Sequence, residues 1–215
     1  MTLTDPAPPA RPYHHGDLRA ALLAAAEAEL AEKGIEQFSL RGVAKRAGVS
    51  HAAPAHHFGD ANGLLTALAA EGFTRFIATQ RAHEAAAAPG QPDRLVAAGL
   101  GYIAFATAHP TLFRLMFAST RPDFTAPALQ EAARAAYQHL LDHVAELRGV
   151  PDPREDPSAL TDATAAWAIV HGLADLLQTG RAGFLLSLPE AERSAILAAI
   201  IRRCLPPLWP AVPAA

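Results

Sequence analysis

The chain has 215 residues, a formal net charge of −3, 51% hydrophobic and 18% charged residues, and a single cysteine, Cys204. That balance excludes a generally disordered polypeptide, and the length suffices for one or two domains around a sizeable core. One cysteine excludes an internal disulfide and suits a reducing cytoplasm; no apolar run reaches the ~20 residues of a membrane span, and no secretory signal is seen.

Residues 1–12, MTLTDPAPPARP, are proline-rich and read as a disordered leader. Arg11, His14 and His15 make its end basic, which suits a solvated tail or an arm against DNA. A first helix is expected over about 16–33, with Leu18, Leu22, Leu23, Ala26 and Leu30 on its inner side and Gly34 after it.

Residues 39–58, SLRGVAKRAGVSHAAPAHHF, carry the densest local signals. Ser39 is a good N-cap; Leu40, Val43, Ala44 and Ala47 then form the stripe of a short helix, and Gly48 ends it. Ser50 is placed to cap a second helix opening at His51. Two short helices around a tight glycine turn make either a helix-turn-helix or an ordinary helical hairpin. In the first reading the second helix enters the DNA major groove. Its outward positions are then Ser50, His51, Ala52, Ala53, Ala55 and His56, with His57 and Phe58 anchoring it to its own domain.

Charge leaves the choice open. Residues 1–80 hold seven Lys/Arg and eight Asp/Glu, so this region is not basic overall. Arg41, Lys45 and Arg46 nevertheless cluster beside the turn, while Glu27, Glu29 and Glu32 on the preceding helix can face away.

The run AEKGIEQFSLRGVAKRAGVSHAAPAHHF, followed by GLL, resembles the N-terminal DNA-binding domain of TetR-family transcriptional regulators. YHHGDLR (13–19) is similar to a leader many of them carry. Three positions depart from the family pattern: Pro54 stands for an inward leucine, Ala55 for a tyrosine that touches phosphate, and Ala61 for a lysine. With Ala55 and Ala61 unable to reach the backbone, Arg41 and Lys45 become the candidates to do so.

The remainder also reads as helices, over about 61–87, 93–108, 110–118, 125–148, 157–179 and 188–204. Thr125 and Asp156 are expected as N-caps, Ser187 with Glu190 as a capping box, and Pro110 at a first helical position. No alternating strand pattern occurs. The fold class is therefore all-α: a three-helix DNA-binding domain at 13–60 and a helical ligand-binding and dimerisation domain at 61–215.

HPTLFRLMF (109–117) and AWAIVHG (166–172) resemble the C-terminal domain of a TetR subgroup with a Trp-His-Gly signature, here Trp167, His171 and Gly172. The resemblance implies a dimeric repressor of double-stranded DNA operators, controlled by a small-molecule effector. Tyr102, Phe105, Phe113, Met116, Phe117, Tyr137 and Trp167 supply apolar bulk for such a ligand, and His109, Arg114 and His171 supply polarity. Gly172 reads as a close-packing position between helices. The last helix presents Ile196, Leu197, Ile200, Ile201 and Cys204, a broad stripe suited to a homodimer.

His139 and His143 have metal-ligand spacing, but without a neighbouring glutamate or cysteine an exposed polar face explains them better. No metal or cofactor is expected. Walker, GxSxG and GxGxxG signatures are absent and nothing supports catalysis. The competing reading is a helical small-molecule-binding or scaffold protein that retains the fold without specific DNA binding.

Overall fold

The structure is a computed structural model that describes residues 18–204 and, within them, all side chains except those of Gln91 and Cys204. The leader, with Arg11, His14 and His15, lies outside the described residues, as does the side chain of Cys204. Every regular element among the described residues is helical. They are α1 (Leu18–Lys33), α2 (Leu40–Ala47), α3 (Ala53–Phe58), α4 (Ala61–Ala85), α5 (Gln91–Ala108), α6 (Pro110–Phe117), α7 (Pro127–Arg148), α8 (Pro157–Gln178), a 3-10 turn (Gly183–Ser187) and α9 (Glu190–Cys204). No single helix among them is long and apolar enough to cross a membrane.

The chain divides into two compact units, residues 1–64 and 65–215. In the first, Leu22, Leu23, Ala26 and Leu30 of α1 pack with Phe38, Val43 and Ala44 and are all buried. This is the stripe the spacing predicts. Arg46 of α2 binds Glu29 through Nε at 2.7 Å and also pairs with Glu32. Glu29 and Glu32 thus face α2 instead of turning away, because the buried Glu29 carboxylate needs a cation.

In the second unit α5 is central, packing on α6, α7, α8 and α9. Close approach rests on glycines. A Cβ on Gly101 would sit 2.7 Å from the Gln80 backbone, one on Gly72 2.7 Å from Met116 Sδ, and one on Gly99 3.1 Å from both Ile201 and Val170. Gly172 is different: nothing lies within 4 Å of a Cβ built there, so it is not a close-packing position within this chain. Leu141 and Val144 of α7 with Ala159 and Ala163 of α8 form a further buried cluster. Beside it Arg148 pairs with the buried Asp162.

The expected caps hold in part. Asp156 accepts hydrogen bonds from Ser158 N (2.8 Å) and Ala159 N (3.0 Å), and Pro110 opens α6. Thr125 does not cap α7: Asp123 Oδ1 holds both its N–H and its hydroxyl in a local turn. Ser187 does not cap α9 either, since its hydroxyl donates to Phe184 O within the 3-10 turn.

Candidate functional site

The first candidate is the α2–α3 pair. Ser39 Oγ accepts from Gly42 N at 3.1 Å, and Gly48 takes φ 67° with its N–H turned back onto the carbonyls of Ala44 and Lys45. A left-handed backbone at this point reverses the chain, and glycine adopts it without steric cost. Helix α3 begins at Ala53, two residues later than expected. Ser50 contributes its carbonyl, accepting from Ala53 N at 3.1 Å, and not its side chain. His51 and Ala52 form a turn before the helix.

Pro54 sits in the first turn of α3, where no amide donor is required, and is buried. Of the residues assigned to DNA, Ser50, His51, Ala52, Ala55 and His56 are exposed and Ala53 is half-buried. His57 is exposed too, contrary to its expected anchoring role. The anchor is Phe58, half-buried with the Arg19 guanidinium 5.5 Å from its ring centroid. After it, Gly63 is indispensable, since a Cβ there would meet Phe58 O at 2.0 Å. Of the three basic residues, Arg46 is committed to Glu29 and Glu32, whereas Arg41 and Lys45 are exposed.

The second candidate is a cavity of about 520 Å³ inside the second unit, with walls from α4, α5, α6, α7, α8 and α9. Its volume lies within the range of small-molecule sites. Tyr102, Met116, Phe117, Tyr137 and Trp167 line it, as the sequence suggests. Phe105, His109, Phe113 and His171 do not. Phe105 and Phe113 are core residues behind the wall, and His109 lies 3.2 Å from the Arg75 guanidinium.

His171 reaches the cavity through Tyr102, whose hydroxyl is 2.7 Å from His171 Nδ1. Burial disfavours the protonated imidazole, and a neutral His171 can accept at Nδ1, so we assign Tyr102 as the donor. Burial pushes the Tyr102 pKa above its usual value, with the Trp167 side chain pulling the other way. Burial likewise lowers the His171 pKa from 6.5, against the opposing pull of Asp175. The Tyr102–His171 relay is thus a neutral hydrogen-bonding strip, and with Gln80 and His143 it makes up the polar part of an otherwise apolar wall.

Sequence reasoning missed Phe73, Phe76 and Gln80 on α4 and Ala133, Ala136 and Leu140 on α7, all of which line the cavity. Helical spacing marks Phe73 and Phe76 as inward, but not the space they adjoin. Ile201 is another cavity residue, and with Leu197 it is buried within this chain. Both therefore leave the surface stripe assigned to dimerisation; Ile196 and Ile200 remain half-exposed. Leu176, Phe184 and Leu186 are exposed apolar side chains as well.

A third feature overturns the exposed-face reading of His139 and His143. His143 is only 4% exposed, and Glu84 of α4 comes against both imidazoles. Burial lowers the His143 pKa, with the Glu84 carboxylate pulling the other way.

Residues 22–68 match the bacterial regulatory proteins of the tetR family, and residues 95–203 match the tetracyclin repressor-like C-terminal domain. Among solved structures, a protein of unknown function from Rhodococcus sp. RHA1 is 35% identical, covering 91% of this chain and 99% of that one at a TM-score of 0.72. A transcriptional regulator from the same organism is 26% identical over 87% and 95%, with a TM-score of 0.62. A TetR-like regulator, also from Rhodococcus sp. RHA1, is 15% identical over 89% and 97% at 0.62 and shares the fold. No curated protein matches the chain. The paired helices of the first unit and the helical second unit accord with these matches, and the chain belongs to the TetR family of bacterial transcriptional regulators.

Proposed function

We propose that the protein is a cytoplasmic one-component repressor of the Trp-His-Gly subgroup, which binds a palindromic operator as a homodimer and releases it when an apolar small molecule fills the cavity. The observation that carries this reading is the cavity itself. An aromatic chamber of about 520 Å³ whose polar groups are the Tyr102–His171 strip, Gln80 and His143 suits a largely apolar ligand with at least one polar group. The exposed residues at α3, with Arg41 and Lys45 exposed and without an ion pair among the described residues, support the DNA half of the reading.

Two half-sites about 34–36 Å apart require two α3 helices held by a two-fold link. Leu176, Ile196, Ile200 and the open position at Gly172 offer an apolar surface for that link. The test is to search the DNA upstream of the coding sequence for an inverted repeat and measure binding by fluorescence anisotropy, with and without compounds that raise the melting temperature. The expected result is tight, sequence-specific binding that such a compound abolishes. Equal, weak binding to every duplex would favour the rival reading, a helical small-molecule-binding protein without operator specificity.

A further inference from the structure

We propose that Glu84, His139 and His143 form a zinc site between α4 and α7. Independently of the repressor reading, three potential ligand atoms converge there. Glu84 Oε1 is 2.7 Å from His139 Nε2 and 3.2 Å from His143 Nε2, and all three atoms lie within 4.8 Å of one another. His139 and His143 are four residues apart on α7, which puts both rings on one face, with centroids 5.0 Å apart.

The hydrogen bonding is incomplete in a way that points to a ligand. His139 Nε2 bonds Glu84 Oε1, but His143 Nε2 lies off the line of a hydrogen bond to that oxygen and has no other partner. A buried ring nitrogen without a partner costs about 1–3 kcal/mol. A cation between the three atoms would satisfy it.

The donor set selects the metal. Two imidazoles and one carboxylate suit zinc and are the protein ligands of several open zinc sites, whereas magnesium and calcium prefer oxygen donors. Zinc bonds of about 2.0–2.1 Å place tetrahedral ligand atoms roughly 3.3 Å apart, so Glu84 Oε1 and His139 Nε2 must part by about 0.6 Å, while Glu84 Oε1 and His143 Nε2, 3.2 Å apart, already stand close to that separation. The metal would take the place of the proton that His139 shares with Glu84, and the neutral imidazole would carry its one ring proton on Nδ1 instead. Water completes the fourth position.

The experiment uses the full-length, untagged protein, loaded with zinc, dialysed and measured for metal content, with a parallel cobalt(II) sample read by visible absorption. The expected result is one zinc per chain and the intense bands of four-coordinate cobalt. Glu84→Gln and His139→Gln should each weaken zinc binding tenfold or more, while a variant combining His51→Ala, His56→Ala and His57→Ala keeps its zinc. No uptake by the wild type, uptake unchanged in Glu84→Gln and His139→Gln, or uptake lost with the α3 histidines would overturn the assignment. Should both cluster variants fail to fold, wild-type stoichiometry and the cobalt spectrum decide: fewer than one ion per chain, or a six-coordinate spectrum, overturns it.

Discussion

Tyr102 on α5 and His171 on α8 stand 69 residues apart in sequence, yet the phenol donates to Nδ1 of the imidazole over 2.7 Å. This bond ties the two helices together at the wall of the cavity. Tyr102→Phe leaves His171 Nδ1 without that partner, and the expected loss is about 1–3 kcal/mol. Urea unfolding measures it; a variant as stable as the wild type would remove the relay from the account.

The same pair implies a pH dependence. The folded pKa of His171 lies below 6.5. As pH falls through 6.5 the unfolded chain takes up a proton that the folded chain refuses, so stability is full above 6.5 and declines toward the folded pKa. Unfolding midpoints between pH 8 and 5 should fall for the wild type and fall less steeply for His171→Gln. Parallel curves would contradict this assignment.

The three cations of α2 should separate experimentally. Arg41→Ala and Lys45→Ala are expected to weaken binding to every DNA sequence alike, each lowering the slope of log affinity against log salt by about 0.9. Arg46→Ala should instead destabilise the protein, because it strands the buried Glu29 carboxylate. His51→Ala should change preference among operators. Anisotropy over a salt series, paired with thermal melts, tells the three effects apart.

Glycine substitutions test the helix crossings. Gly101→Ala drives a methyl group into the Gln80 backbone, which cannot yield as a side-chain tip would, and about 3 kcal/mol of destabilisation is expected. Gly42→Ala places its Cβ 1.9 Å from Glu29 Oε1, a carboxylate already held by Arg46, and should cost about 1–3 kcal/mol. Denaturant unfolding of each variant provides the check, and a neutral Gly101→Ala would show that the α4–α5 contact is looser than described.

Assembly is tested on the face the fold leaves open. Ile200→Glu and Gly172→Leu should halve the solution mass and abolish operator binding while the circular dichroism stays helical. Light scattering alongside anisotropy provides both readings. A wild type that is monomeric at micromolar concentration yet holds a palindrome tightly would defeat the dimeric repressor.

What the sequence by itself determined is local. Ser39 and Gly48 bound α2, Pro110 and Asp156 start α6 and α8, and the stripe of α1 faces its core, because each signal acts within about one helical turn. The same spacing put Trp167 and His171 on one face of α8. Periodicity says which residues share a face, but not which neighbour that face will meet. Only the tertiary structure brought Glu84 of α4 to His139 and His143 of α7, and Glu29 to Arg46. Only it turned Leu197 and Ile201 inward, and divided the aromatic residues into those that line the cavity and those packed behind it. These outcomes depend on how each helix is rotated against the next. In the second unit that rotation is set where helices approach most closely, at Gly101 against the Gln80 backbone and at Gly72 and Gly99 against side chains of their neighbours, by residues with no side chain to announce the contact.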